Sequence, residues 1–276
     1  MKFLMSVDME GLMGVVDNLQ RNSDRNDYKF ARKLMAEQVN AVIEGILEVD
    51  RNAEVWVNDS HNNMMNLLPT DLLPRAYLLS GRNKRYSMME GIDPSFTGVF
   101  YIGYHAKRGT PEAVLDHTYS ESCVLDISVN NVSMGEFGIN NLLAGWFKVP
   151  GLMISGDDKV VKEAKVLCHD IIGVTVKKSF GRYDALYLPI KQVKETLKNG
   201  SSEAAKRVAN ITPFEMESPY DIKIKFTFAE MAELVSNVPT VERIDNSTVS
   251  IKGEDYERCF RTLLVCLRLA YSGIAG

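Results

Sequence analysis

The chain has 276 residues, 45% hydrophobic and 25% charged, with a formal net charge of −4 at pH 7. That composition suits a globular protein with a sizeable core, and its mild acidity, with no basic stretch interleaved with aromatics, argues against nucleic acid or an anionic membrane surface as partner. No apolar run approaches the ~20 residues of a bilayer span, and the N-terminus lacks the apolar core and cleavage site of a signal peptide, so the expected location is the cytoplasm.

Lys2–Val7 reads as a short apolar strand running into Asp8-Met9-Glu10-Gly11. In an extended chain, side chains two apart share a face, so Asp8 and Glu10 point the same way. Two such carboxylates repel unless a cation lies between them or one takes a proton. A divalent metal is the simplest such cation, and a solvated acidic turn is the plain alternative.

A polar loop, Asp17 to Asp27, follows. Apolar residues at Phe30/Ala31, Leu34/Met35, Val39, Val42/Ile43 and Ile46/Leu47 then predict a helix by their 3.6-residue period. Glu54–Asn58 predicts a second strand leading into Asp59-Ser60-His61. Ala76–Leu79 predicts a third, and Gly98–Gly103 a fourth that leads to Tyr104-His105. Val124–Val129 and Val132–Met134 flank Asn130-Asn131, a tight hairpin signal. A helix is expected from Glu136 to about Phe147, then a strand at Leu152–Ser155 ending at Gly156-Asp157-Asp158. The latter two carboxylates start the next helix, which carries Lys159, Lys162 and Lys165 on its polar side. Val174–Val176 predicts one more strand, with Lys177 and Lys178 read as its solvated end ahead of the alternative, contact with substrate.

The last third changes character. Pro189–Lys198 and Ser202–Ala209 predict two short helices, and Asp221–Phe226 alternates as a strand with one wet face does. Thr240–Ile244 and Thr248–Ile251 predict a hairpin, and a helix is expected from about Asp255 to Tyr271. Cys259 and Cys266 fall on one side of that helix, which suits packing. With Cys123 and Cys168 they form no C-x-x-C pair, so reduced thiols are expected. The whole reads as an α/β fold with a mainly parallel sheet flanked by helices. Residues 1–185 are expected to make this α/β domain, and 186–276 a smaller α+β domain packed closely on it.

Right-handed crossovers gather strand carboxyl ends along one sheet edge, where open α/β sheets bind ligands. Asp8, Asp59/His61 and His105 each follow a predicted strand, so three polar clusters should meet there. His117 lies twelve residues beyond His105, and His169 is incidental in a helix tail. Carboxylates, histidines and a glutamate at a helix start suit a pair of divalent ions, with one histidine left for proton transfer or oxyanion stabilisation. Asp59 and Asp116 read either as orienters of neighbouring histidines or as ordinary turn residues.

Seven segments stand in a telling order: Ser6–Gly11, Val57–His61, Ser87–Gly91, Gly103–Ala106, Thr110-Pro111 to His117, Gly135–Asn140 and Gly156–Asp158. By them the chain resembles the M55 peptidase family, D-aminopeptidases of the dipeptide-transport type, over roughly residues 1 to 180 and more loosely beyond. The resemblance implies a dinuclear site of zinc or another divalent metal, two ions per subunit. Its ligands would be Asp8, Glu10, His61, His105 and Glu136, with Asp8 as the bridge and His117 as a catalytic residue outside the ligand set. It also implies release of N-terminal D-amino acids from short peptides or aminoacyl amides by a metal-activated hydroxide, and a ring-shaped homo-oligomer, a decamer of two stacked rings. Glu90 lies in one motif without a derivable role. Two rival readings are another dinuclear metallohydrolase, such as a phosphoesterase, and a non-catalytic ring-forming peptide-binding protein. The first lacks Arg or Lys beside the ligand motifs and a phosphate cradle. The second sits poorly with six intact site residues.

Overall fold

A computed structural model describes residues 1–21 and 25–273. Two sheets organise them. The first has seven strands: β1 (Lys2–Val7), β2 (Glu54–Asp59), β3 (Ala76–Leu79), β4 (Gly98–Tyr104), β7 (Gly151–Asp157), β8 (Ile172–Gly181) and β9 (Asp184–Tyr187). Its order is β3-β2-β1-β4-β7-β8-β9, and every pairing is parallel except the terminal β8–β9 pair. The second sheet has five strands: β5 (Val124–Val129), β6 (Val132–Ser133), β10 (Tyr220–Phe226), β11 (Val241–Arg243) and β12 (Thr248–Gly253). It is antiparallel throughout, in the order β11-β12-β10-β5-β6.

Seven α-helices accompany them among the described residues: α1 (Asn18–Arg21), α2 (Asn26–Val49), α3 (Glu136–Trp146), α4 (Asp158–Leu167), α5 (Ile190–Lys206), α6 (Ala229–Val235) and α7 (Tyr256–Ser272). Alternation in β1 sends Phe3, Met5 and Val7 to one face of the parallel sheet, where α2 (Val39, Val42, Ile46) and α5 (Val193, Leu197) cover them. Leu4 goes to the other face. That core continues through Phe137 and Leu142 of α3 into Ile127, Ile222 and Ile251 of the antiparallel sheet and Phe260 and Leu263 of α7.

The boundary expected near residue 185 does not separate these layers. β5 and β6 join the antiparallel sheet from before it, and α5, from after it, packs on α2 and the parallel sheet. The two short helices expected at Pro189–Lys198 and Ser202–Ala209 are one, α5, running through Asn199-Gly200-Ser201-Ser202. Read locally, that tetrapeptide breaks a helix, but packing overrides it. Gly200, Ser201 and Ser202 are buried, and Ser201 Oγ lies 2.9 Å from the Val42 carbonyl of α2. The helices cross so closely there that a Cβ on Gly45 would sit 2.1 Å from the Lys198 carbonyl. Lys177 and Lys178 do not end a strand, because β8 runs on to Gly181.

The order of the parallel sheet reverses at β1: β2 and β3 lie to one side, β4 and β7 to the other. The carboxyl ends of β1 and β4 thus lie side by side at the point of reversal, where open α/β sheets bind ligands. Asp8 follows β1, His105 follows β4, and His61 stands two residues beyond β2. Backbone bonds from Asp8 to Ile102 and from Gly11 to Gly103, each 2.8 Å, press the first loop onto the end of β4. Gly11 is required at that approach, since a Cβ there would lie 1.8 Å from the Tyr104 carbonyl.

Candidate metal centre

All six side chains singled out from the sequence meet at these strand ends, and all are buried. Asp8 is central. Its Oδ1 lies 3.2 Å from His61 Nδ1, and its Oδ2 lies 3.4 Å from His105 Nε2. Glu10 Oε2 stands 3.0 Å from the same His61 nitrogen. On the other side, Glu136 Oε1 lies 3.4 Å from His105 Nε2 and 3.9 Å from His117 Nε2. Glu136 opens α3, where the helix N-terminus favours a carboxylate, and its Oε1 accepts the Tyr119 N–H at 2.7 Å.

Each histidine has its other nitrogen tied to a backbone carbonyl. His105 Nδ1 faces the Ala106 carbonyl at 3.0 Å, His117 Nδ1 the Leu115 carbonyl at 2.8 Å, and His61 Nε2 the Arg21 carbonyl at 3.4 Å. A carbonyl only accepts, so those nitrogens carry the protons. In the neutral rings, lone pairs then remain on His61 Nδ1, His105 Nε2 and His117 Nε2, all directed at carboxylates. This is the usual way a protein fixes a ligating imidazole. The His105 and His117 rings stack, with centroids 4.0 Å apart and planes 6° from parallel.

Three buried atoms of the cluster, Asp8 Oδ2, Glu10 Oε2 and His105 Nε2, have no hydrogen-bond partner. Orphaned polar atoms are costly in a dry interior, and three in one spot call for a cation. Spacing agrees. Tetrahedral zinc with bonds of ~2.0–2.2 Å holds its ligand atoms about 3.3–3.6 Å apart, close to the separations here. Potential ligand atoms of Asp8, Glu10 and His105, and those of His105, His117 and Glu136, cluster within 4.8 Å. The donor set fits a divalent ion.

Electrostatics point the same way. Burial, then the charge of Glu10, raises the Asp8 carboxyl to about 7. Burial works against a charged Glu10, but His61 beside it holds that carboxyl well below the usual range. Burial likewise opposes charge on His105, yet Glu136 and Asp8 lift it to about 10. Protons on the histidines thus balance the carboxylates, and a metal ion displaces such protons when it binds. His117 is the exception: burial, then the charge on His105, pushes it down to about 4.

Supporting residues divide between those the sequence suggested and those it did not. Asp59 accepts from the N–H of Leu67 at 2.8 Å and from Asn66, whose Nδ2 also reaches the His61 carbonyl at 2.7 Å, so Asp59 shapes the His61 loop without touching its ring. Asp116 accepts the Gly109 N–H at 2.6 Å and pairs with Arg182, bracing the loop that carries His117. Asp157 caps α4 and also accepts the Val114 N–H at 3.1 Å. Asp158 opens α4, and Glu90 accepts the Tyr86 N–H at 2.7 Å.

Lys177 corrects an expectation. It is fully buried, and its Nζ donates to the carbonyls of Glu10, Leu12 and Val15 at 2.5, 3.0 and 2.6 Å. The cleft is also more basic than the ligand motifs suggested. Arg21, Arg82 and Arg268 line the same cavity, about 1040 Å³, as Asp8, Glu10 and Glu136. Arg21 bonds Glu10 at 2.8 Å and also pairs with Glu121. No local pattern marks these cations, because only the tertiary fold brings them to the cleft.

Comparison with known proteins bears on the family and the fold. A family model described as Peptidase M55, D-aminopeptidase, matches residues 1–265. A D-aminopeptidase of Bacillus subtilis (strain 168) is 33% identical over 271 residues, covering 98% of each chain. The solved structure described as "Zn-dependent D-aminopeptidase DppA from Bacillus subtilis, a self-compartmentalizing protease" superposes with a TM-score of 0.94, at 33% identity over 98% of both chains.

Proposed function

This chain belongs to the M55 family of D-aminopeptidases, and on that premise we propose that it is a zinc-dependent enzyme releasing N-terminal D-amino acids from short peptides or aminoacyl amides. The observation that carries the reading is Asp8, whose two oxygens face two different histidines at 3.2 and 3.4 Å. Asp8, Glu10 and His61 would hold one ion, and Asp8, His105 and Glu136 a second. Ions bound there supply Lewis-acid polarisation of a carbonyl and acidify water.

The protein's own residues do the rest. Glu10 and Glu136 would offset part of the ions' charge, and the amino end of a substrate would meet that site as the neutral amine. His117 takes up or releases a proton at Nε2, because its Nδ1–H is committed to the Leu115 carbonyl. Burial of the floor keeps bulk water from competing. We assign the protein to a reducing, cytoplasmic setting, consistent with its four free cysteines. Assembly into a ring-shaped homo-oligomer, a decamer by family resemblance, is supported by the exposed Phe180, Tyr183 and Leu186 of the β8–β9 hairpin and by the self-compartmentalizing relative.

Elemental analysis of purified protein should find two zinc equivalents per chain. Turnover of D-alanyl p-nitroanilide should cease on full chelation, return with zinc, and exceed that of the L-isomer. Aminoacyl amide hydrolysis that survives complete chelation would end the proposal.

A further inference from the structure

The peptidase reading leaves one wall of the cleft without a task. The floor is acidic, but Arg82 and Arg268 line the outer part of the same cavity. Both side chains are exposed. Arg21, the third cation of the cleft, is already engaged by Glu10 and Glu121. Among the described residues neither Arg82 nor Arg268 has a carboxylate at ion-pair distance. A nearby acid, Glu257, is taken up by Arg85 and Arg261 at 2.7 and 3.6 Å.

The turn that carries Arg82 is fixed to the metal centre. The His61 carbonyl accepts from Met64 N at 2.8 Å, and the Met64 carbonyl accepts from Gly81 N at 2.7 Å. Two backbone hydrogen bonds thus join the loop of His61 to the residue before Arg82. Gly81, at φ +107°, makes that turn. Lys84 anchors its far side, donating to Asn58 Oδ1 and the Asp59 carbonyl, both at 2.6 Å, and to the Leu79 carbonyl at 3.1 Å. The Lys84 carbonyl in turn accepts from Arg268 Nη2 at 3.4 Å, which brings the last turns of α7 against the same loop.

The cleft therefore has two ends, with the candidate metal ligands on the floor and two guanidinium groups on the wall. A free short peptide also has two distinct ends, an amino group that can meet a metal site as the neutral amine and a carboxylate. Guanidinium forks match a carboxylate better than an ammonium side chain does. We propose that Arg82 and Arg268 clamp the C-terminal carboxylate of the substrate, making the enzyme selective for peptides whose C-terminus is unblocked. The clamp rests on the aminopeptidase reading, which sets the amino end on the floor.

The test uses zinc-loaded protein and two substrates, D-alanyl-glycine and D-alanyl-glycinamide. Wild type should prefer the free acid by about tenfold or more in kcat/KM. In the double variant R82Q/R268Q, KM for the acid should rise about tenfold with kcat little changed, while both constants for the amide move less than about twofold. The variant R82K/R268K should recover part of the loss. Calorimetry with a reduced-bond analogue, CH2–NH in place of the peptide CO–NH, should give the same difference between acid and amide without turnover. Equal treatment of acid and amide by wild type, or equal losses for both in R82Q/R268Q, overturns the clamp alone. Absence of turnover for both substrates in wild type overturns the aminopeptidase reading, and the clamp with it.

Discussion

On the cleft floor, Asp8, His61 and His105 stand within two residues of the end of a parallel strand, buried and held by backbone groups on several sides. On the outer wall, Arg82 and Arg268 come from a turn and from the last turns of α7, with exposed side chains and few fixed contacts. On the floor, sheet register and backbone hydrogen bonds fix where the Asp8, His61 and His105 side chains start. The wall places charge, and lets the side chain find its own geometry. Chemistry needs the first kind of precision; selection of a flexible ligand needs only the second.

That contrast is broken most directly at Asp8. Asp8→Asn keeps the shape and removes the one charge that faces both histidines. Activity should fall by about 10⁴-fold or more, with at least one zinc equivalent lost on elemental analysis. Burial and Glu10 both work against an ionised Asp8, so the metal-free variant should melt no lower than metal-free wild type. A lower melting point would make Asp8 a structural residue. His117 gives a sharper cut. His117→Ala should retain both zinc equivalents while kcat falls by about 10²–10⁴-fold. Loss of one zinc together with activity would move His117 into the ligand set, where its 3.9 Å separation from Glu136 Oε1 leaves room for it.

The same contrast explains what could be read from the sequence. The floor was legible because two simple rules govern it. Period-two alternation ends each strand at a definite residue, and parallel crossovers gather those ends at one edge. Hence Asp8, Glu10, His61 and His105 stood out before any fold was known, whereas Glu136, at the start of α3, entered the ligand set through the family resemblance. Arg82 and Arg268 follow no period, and nothing near them in sequence points to a cleft. Lys177 was misread for a related reason. Adjacent to Lys178, it looks like the polar end of a strand, but the sheet continues and carries it inward. The unbroken α5 likewise reflects contact with α2, distant along the chain.

Lys177 lies between the two extremes, since it supports the floor without joining it. Lys177→Met keeps much of the volume and leaves the carbonyls of Glu10, Leu12 and Val15 without their donor. Each lost partner costs ~1–3 kcal/mol, and relief from burying the ammonium offsets part of that. A net loss of about 3 kcal/mol is expected, or roughly 6–12 °C in Tm, by thermal or chemical denaturation of the metal-free protein. Because the carbonyls belong to the Glu10 loop, zinc affinity should also drop about 10–100-fold by competition with a chelator. A stability loss with unchanged zinc affinity would confine Lys177 to the core.

The smallest effect is expected at Glu257, behind the wall. Its Oε1 accepts from the Tyr86 hydroxyl at 2.6 Å and from Arg85 Nη2 at 2.7 Å, holding α7 to the loop before Glu90. Arg85 is more than half exposed, so solvent screens that pair, and such pairs contribute at most ~1 kcal/mol. Glu257→Gln keeps an acceptor for Tyr86 and removes only the charge. Denaturation in low salt should therefore show a loss below about 1 kcal/mol, shrinking further in high salt as screening weakens the wild-type pair. Turnover of D-alanyl p-nitroanilide, which has no carboxylate for the wall to hold, should change less than about twofold. A loss above ~2 kcal/mol, or a tenfold fall in kcat/KM on that substrate, would mean that α7 is positioned as tightly as the floor. The wall would then be part of the catalytic frame, and the division between a rigid floor and a permissive wall would fail.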